Sequence, residues 1–509
     1  MSEIPPNVQR PTPDEIREIA REHHMELSDA EVEDFMAAIE GTMPAYERLD
    51  ELPDPRPRVE YTDRDPGYRP GRGEDPLNAF VTKCRVEGAD DGPLAGVEVG
   101  LKDNVALAGI DMTLGSKLFD GYVPDTDATI VTRMLDAGAT ITAKLNMEDM
   151  AFSGSGELSA TGPVLNPHSE DHIAGGSSSG SAAAVVGGDV DVAIGGDQGG
   201  SIRIPASWCG AVGHKPTHSL VPYTGIAGLG RSFDHAGPIC TSVEDCARVL
   251  DVIAGKDPLD PRQGEVPTED YTAALGGTPS ELSVGVLAEG FGHEESEDGV
   301  DDAVHDALAA LEDAGAGVTE VSVPMHLDGP AIWTAVANEA TAATVDAEGI
   351  GHYGKGFYDT GFADYFGKAR RAHADDYLTT VKLTLVLGQY LADEYRGHYY
   401  AKGQNLSREL ADRYDEALAD VDVLAMPTTP QTAHEMREDL TRLEVIERAL
   451  DMLPNTCPFD VTGHPAVSVP CGTRDGLPVG LMLVGERFDD ATVLRAAEAF
   501  ERNVDRETA

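Results

Sequence analysis

Cations are scarce in this 509-residue chain: 38 Lys and Arg stand against 90 Asp and Glu, a net charge of −52, and only ten of the basic residues are Lys. So little positive charge argues against a nucleic-acid-binding face. The acidic residues are spread along the chain, as in HEESEDGVDDAVHD (293–306), rather than gathered in a tail. That distribution fits a protein that works in molar salt, where counter-ions screen the repulsion. Cysteine is also sparse. The six (Cys84, Cys209, Cys240, Cys246, Cys457, Cys471) show no CxxC spacing, which gives neither a zinc site nor a disulfide framework and leaves buried thiols as the expectation. No EF-hand loop is present, so neither a metal nor a cofactor is expected. There is no run of 18 apolar residues and no basic leader followed by an apolar stretch. The expectation is a soluble, cytoplasmic protein without membrane contact.

Glycine beside serine is plentiful. Ser177, Ser178 and Ser179 follow the pair Gly175 and Gly176, and Ser201 follows Gly199 and Gly200. Glycine pairs let the main chain adopt conformations that side chains forbid and let a reacting atom approach backbone N–H groups. Two such pairs, each ending in serine, suggest an oxyanion site next to a nucleophile. A flexible linker is the alternative, but the apolar stretches 182–186 and 192–194, with Ile202, Ile204 and Trp208, read as buried core. Residues 176–180 also spell G-x-S-x-G, which as a nucleophile elbow would single out Ser178. That motif needs a preceding strand, and NPHSEDHIAGG reads as a polar loop. Cys209 competes as a nucleophile too, within a segment that reads as packed core.

GGSSSGSAAAV (175–185), GGDQGGSIRIP (195–205), CGAVGHKPT (209–217) and GLKDN (100–104) resemble the amidase signature family of serine hydrolases, from about residue 80 to the C-terminus. The spacings agree as well, with 75 residues from Lys102 to Ser177 and 24 from Ser177 to Ser201. The resemblance implies a triad of Ser201 as nucleophile, Ser177 as proton relay behind a cis peptide from Gly176, and Lys102 as base. The residues are consistent with it. A serine hydroxyl needs a base as it attacks, and Lys102 ends the strand pattern VEVGL, where burial favours the neutral amine. A surface Lys in an ion pair is the other reading of that position. Backbone N–H groups of Gln198, Gly199, Gly200 and Ser201 are expected to form the oxyanion hole, with Ser178 supporting the cis segment. Asp197 and Arg203 read as a structural pair, because a buried charge needs a partner.

Residues 1–75 are read as an N-terminal helical, dimer-forming domain with its linker, and 76–509 as the catalytic domain. Thr12 opens one helix and Ser28, with Glu31, forms a capping box for another. Ile16, Ile19 and Ala20, then Val32, Phe35, Met36 and Ile39, fall at helical spacing. So small a unit cannot bury a core alone. The Pro- and Gly-rich stretch 53–76 reads as an extended connector. Beyond it strands and helices alternate, which predicts an α/β fold: a central β-sheet covered by helices, mixed in direction if Arg474-Asp475-Gly476 is a hairpin turn.

The Gln198 position, NTCPFDVTGHPAVSVP (455–470) and the helical extension look most like the amidases of bacterial nitrile-degradation pathways. This resemblance implies hydrolysis of short aliphatic or aromatic carboxamides to acid and ammonia, and a homodimer. It also implies an acyl pocket of Phe152, Phe233, Trp333 and Leu453, residues that ordinary core packing explains equally. The alternative is the glutaminase component of a tRNA-dependent glutamine amidotransferase, its so-called A subunit, which passes ammonia to a partner protein. A non-catalytic scaffold is a third, disfavoured because all three triad positions are filled.

Overall fold

In a computed structural model of the chain, residues 8–350 and 354–503 are described. They divide into two compact units, Met1–Pro57 and Arg58–Ala509. The smaller holds two helices, Pro13–Glu22 and Asp29–Glu51. Both start on reciprocal capping boxes: Thr12 Oγ1 accepts the Glu15 N–H and Glu15 accepts that of Thr12, and Ser28 and Glu31 do the same. Arg17 bridges the pair through Asp29 at 2.7 Å. Ala20 and Val32 are buried as the helical spacing predicts, whereas Ile19 and Phe35 remain 48% and 44% exposed.

The larger unit is built on strands β1 (Arg64–Tyr68), β2 (Phe80–Glu87), β3 (Glu98–Lys102), β4 (Thr140–Leu145), β5 (Leu165–Asn166), β6 (Ser169–Ile173), β7 (Val192–Asp197), β8 (Val212–Lys215), β9 (His235–Cys240), β10 (Ser283–Leu287), β11 (Gly317–Val321), β12 (Val423–Pro427), β13 (Ala466–Arg474) and β14 (Leu477–Val484). Among the described residues, twelve form one sheet in the order β1-β2-β4-β3-β7-β9-β8-β13-β14-β12-β10-β11. The sheet is mixed. β4, β3 and β7 run parallel, as do β12, β10 and β11, and the joins between these groups are antiparallel. The β13–β14 hairpin turns on Asp475 and Gly476, at φ +51° and +84°, the left-handed pair that a two-residue hairpin loop needs.

Two expectations need correction. The connector over 53–76 contributes β1, an edge strand paired with β2. The polar loop before the serines contains β5 and β6, which pair as a separate small sheet.

Helices cover both faces of the large sheet, which is why central strands such as VAIGGD and VLAMP are buried throughout. Val192 and Ile194 of β7 join the core under helices Thr129–Asp136, Val243–Ile253 and Asp490–Asn503. Ala193 points the other way, to helix Ser179–Val186. The same alternation acts on β3: Val99 and Leu101 enter the first core, so Gly100 and Lys102 turn to the face of Ser179–Val186. That places Lys102 at the carboxyl end of a parallel strand, beside the equivalent end of β7.

Candidate active site

Lys102 is fully buried, and its Nζ donates to Ser177 Oγ at 2.7 Å and to the Gly196 carbonyl at 3.0 Å. Burial pushes its amine down to about 7, against the pull of Asp197, Glu148 and Asp234. The next residue, Asp103, forms a buried ion pair with Lys144 of β4 at 3.0 Å. The Gly176–Ser177 bond is cis. Ser178 Oγ donates to the Gly196 carbonyl (3.1 Å) and accepts the Gly196 N–H (3.2 Å), so this hydroxyl ties the serine segment to β7. Ser178 N–H also donates to the Ser201 carbonyl at 3.3 Å. The structure therefore joins Lys102 and Ser177 directly and brings Ser201 to the same segment through its backbone. Ser201 Oγ makes no hydrogen bond among the described residues.

The turn 197–201 is held from several sides. Asp197 accepts the Gly200 N–H at 2.5 Å, the Ile202 N–H at 3.1 Å, and Arg203 Nε and Nη2 at 3.0 and 3.1 Å. Arg203 also donates to Asp460 (2.8 Å) and to the Thr456 carbonyl (3.0 Å). Burial alone would raise the Asp197 carboxyl, but Arg203 outweighs it and holds the group well below the ordinary range. Thr456 Oγ1 donates to the Gly199 carbonyl (2.6 Å) and Trp333 Nε1 to that of Gln198 (2.6 Å). With those carbonyls drawn outward, the N–H groups of Gln198, Gly199 and Ser201 have no acceptor among the described residues, whereas that of Gly200 is given to Asp197. Only glycine fits at 200: its φ is +135°, and a Cβ there would lie 2.4 Å from Thr456 Oγ1.

Phe152, Phe233, Trp333 and Leu453 share one apolar cluster. Trp333 and Leu453 also bound a cavity of about 290 Å³ with His293, Glu295 and Asp451. Phe233 is fully buried, packed beneath Gly230. A second cavity, about 160 Å³, lies beside Tyr223 and Asp234. The Tyr223 hydroxyl accepts from Gln198 Nε2 at 2.9 Å. Sequence reasoning did not single out Tyr223, Thr456, Asp460 or Glu148 for this neighbourhood. Thr456 and Asp460 do lie in the 455–470 segment that carried part of the resemblance.

The competing readings lose their geometry. Cys209 is buried, its thiol donates to the Ala174 carbonyl, and burial pushes it above the ordinary thiol range. The Ser178 hydroxyl is buried and committed to Gly196 in both directions. Among the described residues no three His, Cys, Asp or Glu side chains converge as a metal site, and no helix is long and apolar enough to cross a membrane.

A family model described as Amidase matches residues 79–494. The chain is 45% identical over 485 residues to an enantioselective amidase of Rhodococcus rhodochrous, covering 94% of this chain and 93% of that protein. It is 42% identical over 434 residues to the A subunit of glutamyl-tRNA(Gln) amidotransferase of Haloarcula marismortui, covering 83% and 99%. A crystal structure of the A subunit of glutamyl-tRNA(Gln) amidotransferase from Thermotoga maritima superposes with a TM-score of 0.72 at 32% identity, covering 84% of this chain and 88% of that one. By sequence and by fold, this chain belongs to the amidase family.

Proposed function

We propose that the chain hydrolyses carboxamides of short aliphatic or aromatic monocarboxylic acids to acid and ammonia through an acyl-enzyme on Ser201. The observation that carries this reading is the buried 2.7 Å contact between Lys102 Nζ and Ser177 Oγ, at the segment to which Ser201 is tied. Lys102, its amine free near neutrality, takes the Ser177 proton while Ser177 takes that of Ser201. Ser201 Oγ then bonds to the amide carbon. The developing oxyanion meets the open N–H groups of Gln198, Gly199 and Ser201; Gly200 instead shapes the turn through Asp197. Collapse returns the proton to nitrogen and releases ammonia. Water, activated over the same relay, then frees the acid.

The amidotransferase reading is favoured by the 42% identity to the Haloarcula marismortui protein. Against it, the match to the enantioselective amidase spans 94% of the chain, against 83% for the amidotransferase component. A homodimer formed through the N-terminal helices belongs to the same proposal. The chemistry is tested by treating the protein with a fluorophosphonate and locating the adduct by mass spectrometry. Ser201 is the expected site, and Ser201→Ala should abolish labelling. An adduct on Ser178 would overturn the assignment.

A further inference from the structure

The carboxyl of Glu148 is a buried titratable group that the hydrolytic scheme leaves unused. It follows β4, at the carboxyl end of the parallel pair in which β3 delivers Lys102, and is 1% exposed. Its backbone N–H donates to the Ser177 carbonyl at 3.2 Å. Its side chain packs behind Gly176, with Cγ and Oε1 at 2.9 and 3.2 Å from where a Cβ on that glycine would lie. Oε1 accepts the Gly156 N–H and the Ser155 hydroxyl, whereas Oε2 has no hydrogen-bond partner among the described residues.

The other charged groups around the site have their charges balanced or held. From β3, Asp103 is tied to Lys144. From the end of β7, Asp197 is tied to Arg203. From the loop before β9, Asp234 accepts the Leu229 and Gly230 N–H groups and lies in the field of Arg262. From the loop after β4, Asp149 accepts the Leu378 N–H on Oδ2, leaves Oδ1 bare as Glu148 does its Oε2, and lies in the field of Lys382, and Glu157 is paired with Arg448. Glu148 forms no ion pair among the described residues, and a buried carboxylate with a bare oxygen is costly. Burial accordingly pushes it up to about 8, against the lowering effect of the Gly156 N–H.

We propose that Glu148 is a positioning residue for Lys102: an uncharged acid wedged behind the Gly176–Ser177 bond, whose neutrality leaves the lysine amine free to take a proton. Moving one proton from the Glu148 carboxyl to Lys102 Nζ would turn this working pair into a carboxylate and an ammonium. Proton count and net charge would be unchanged, but the lysine could no longer relieve Ser177. The two groups therefore titrate as a pair, and the ionised partner competes with the active form.

This inference rests on Lys102 acting as the base. Glu148→Gln keeps an acceptor for Gly156 and stands in for the protonated acid. Because the wild-type carboxyl is uncharged where Lys102 titrates, the acid limb of kcat/KM against pH is expected to stay in place in this variant; a limb that moves down by about one unit would show that a carboxylate had been raising the lysine, and would overturn the proposal. Wild-type protein carrying 13C at the glutamate side-chain carboxyl supplies the readout that a purely structural role would not give: one resonance should keep its protonated position at pH 7, and ionisation of every glutamate at that pH would overturn the proposal. Lys102→Ala separates the two ideas. If it remains active, the base assignment falls. If it is inactive while every glutamate is ionised at pH 7, only the Glu148 inference falls.

Discussion

Single side chains decide the chemistry, and Lys102 is the one whose protonation can be read out. Its amine is depressed from the ordinary lysine range to about 7 by burial, so it is charged below that pH and free above it. Activity should fall as pH drops through about 7, and Lys102→Met should lose several orders of magnitude in kcat, measured by steady-state kinetics. For stability the variant should act the opposite way. A lysine whose folded value lies below its unfolded one binds fewer protons when folded, so it opposes folding fully below pH 7 and less as pH rises towards the unfolded value. Lys102→Met should thus raise Tm, more at pH 6 than at pH 9; near-normal turnover by that variant would remove Lys102 from the mechanism. The positions of Lys102, Ser177 and Ser201 were legible in the sequence because long motifs carry them. Their supports were not. Thr456 lies 257 residues from the Gly199 carbonyl it holds, and no spacing rule links them. Glu148 reads in sequence as one acidic residue among 90, and only the fold shows that it lacks a cation.

Among the elements, those with apolar alternation or capping signals were readable. β3 and the β13–β14 hairpin fall where VEVGL and the Asp-Gly turn predict, and Ser242 caps helix Val243–Ile253 with Asp245 in its first turn. β1 (RDPGY) and β9 (HAGPIC) carry proline and glycine, and β6 (SEDHI) is mostly polar, so none signals a strand by pattern. Their partners in the sheet impose them. The helical unit Met1–Pro57 raises a different question, because Ile19, Phe35, Tyr46 and Leu49 are all exposed. Apolar side chains at that density on two helices are expected to be covered by a second copy of the chain. Light scattering should report a dimer for the full chain and a monomer or aggregate once residues 1–57 are deleted. A monomeric full-length protein would contradict this.

For the whole molecule the dominant quantity is charge. Self-repulsion among 52 uncompensated negative charges opposes compaction, and screening between neighbouring carboxylates needs a Debye length near 3 Å, as at about 1 M salt, rather than about 10 Å at 0.1 M. The protein should lose structure and activity on dialysis to about 0.1 M salt and regain stability above about 1 M, with KCl and NaCl alike, since screening requires no specific site. Circular dichroism and Tm across a salt series would show it; an unchanged Tm at low salt would mean that the acidic surface has another cause. The most direct measurement of what the chain does belongs in the same high-salt buffer: ammonia and acid released from benzamide, propionamide and glutamine by the purified protein with no partner present. Turnover of the simple carboxamides by wild type, lost in Ser201→Ala, is the predicted result. Inert simple amides, with glutamine cleaved only when a partner protein is added, would contradict it.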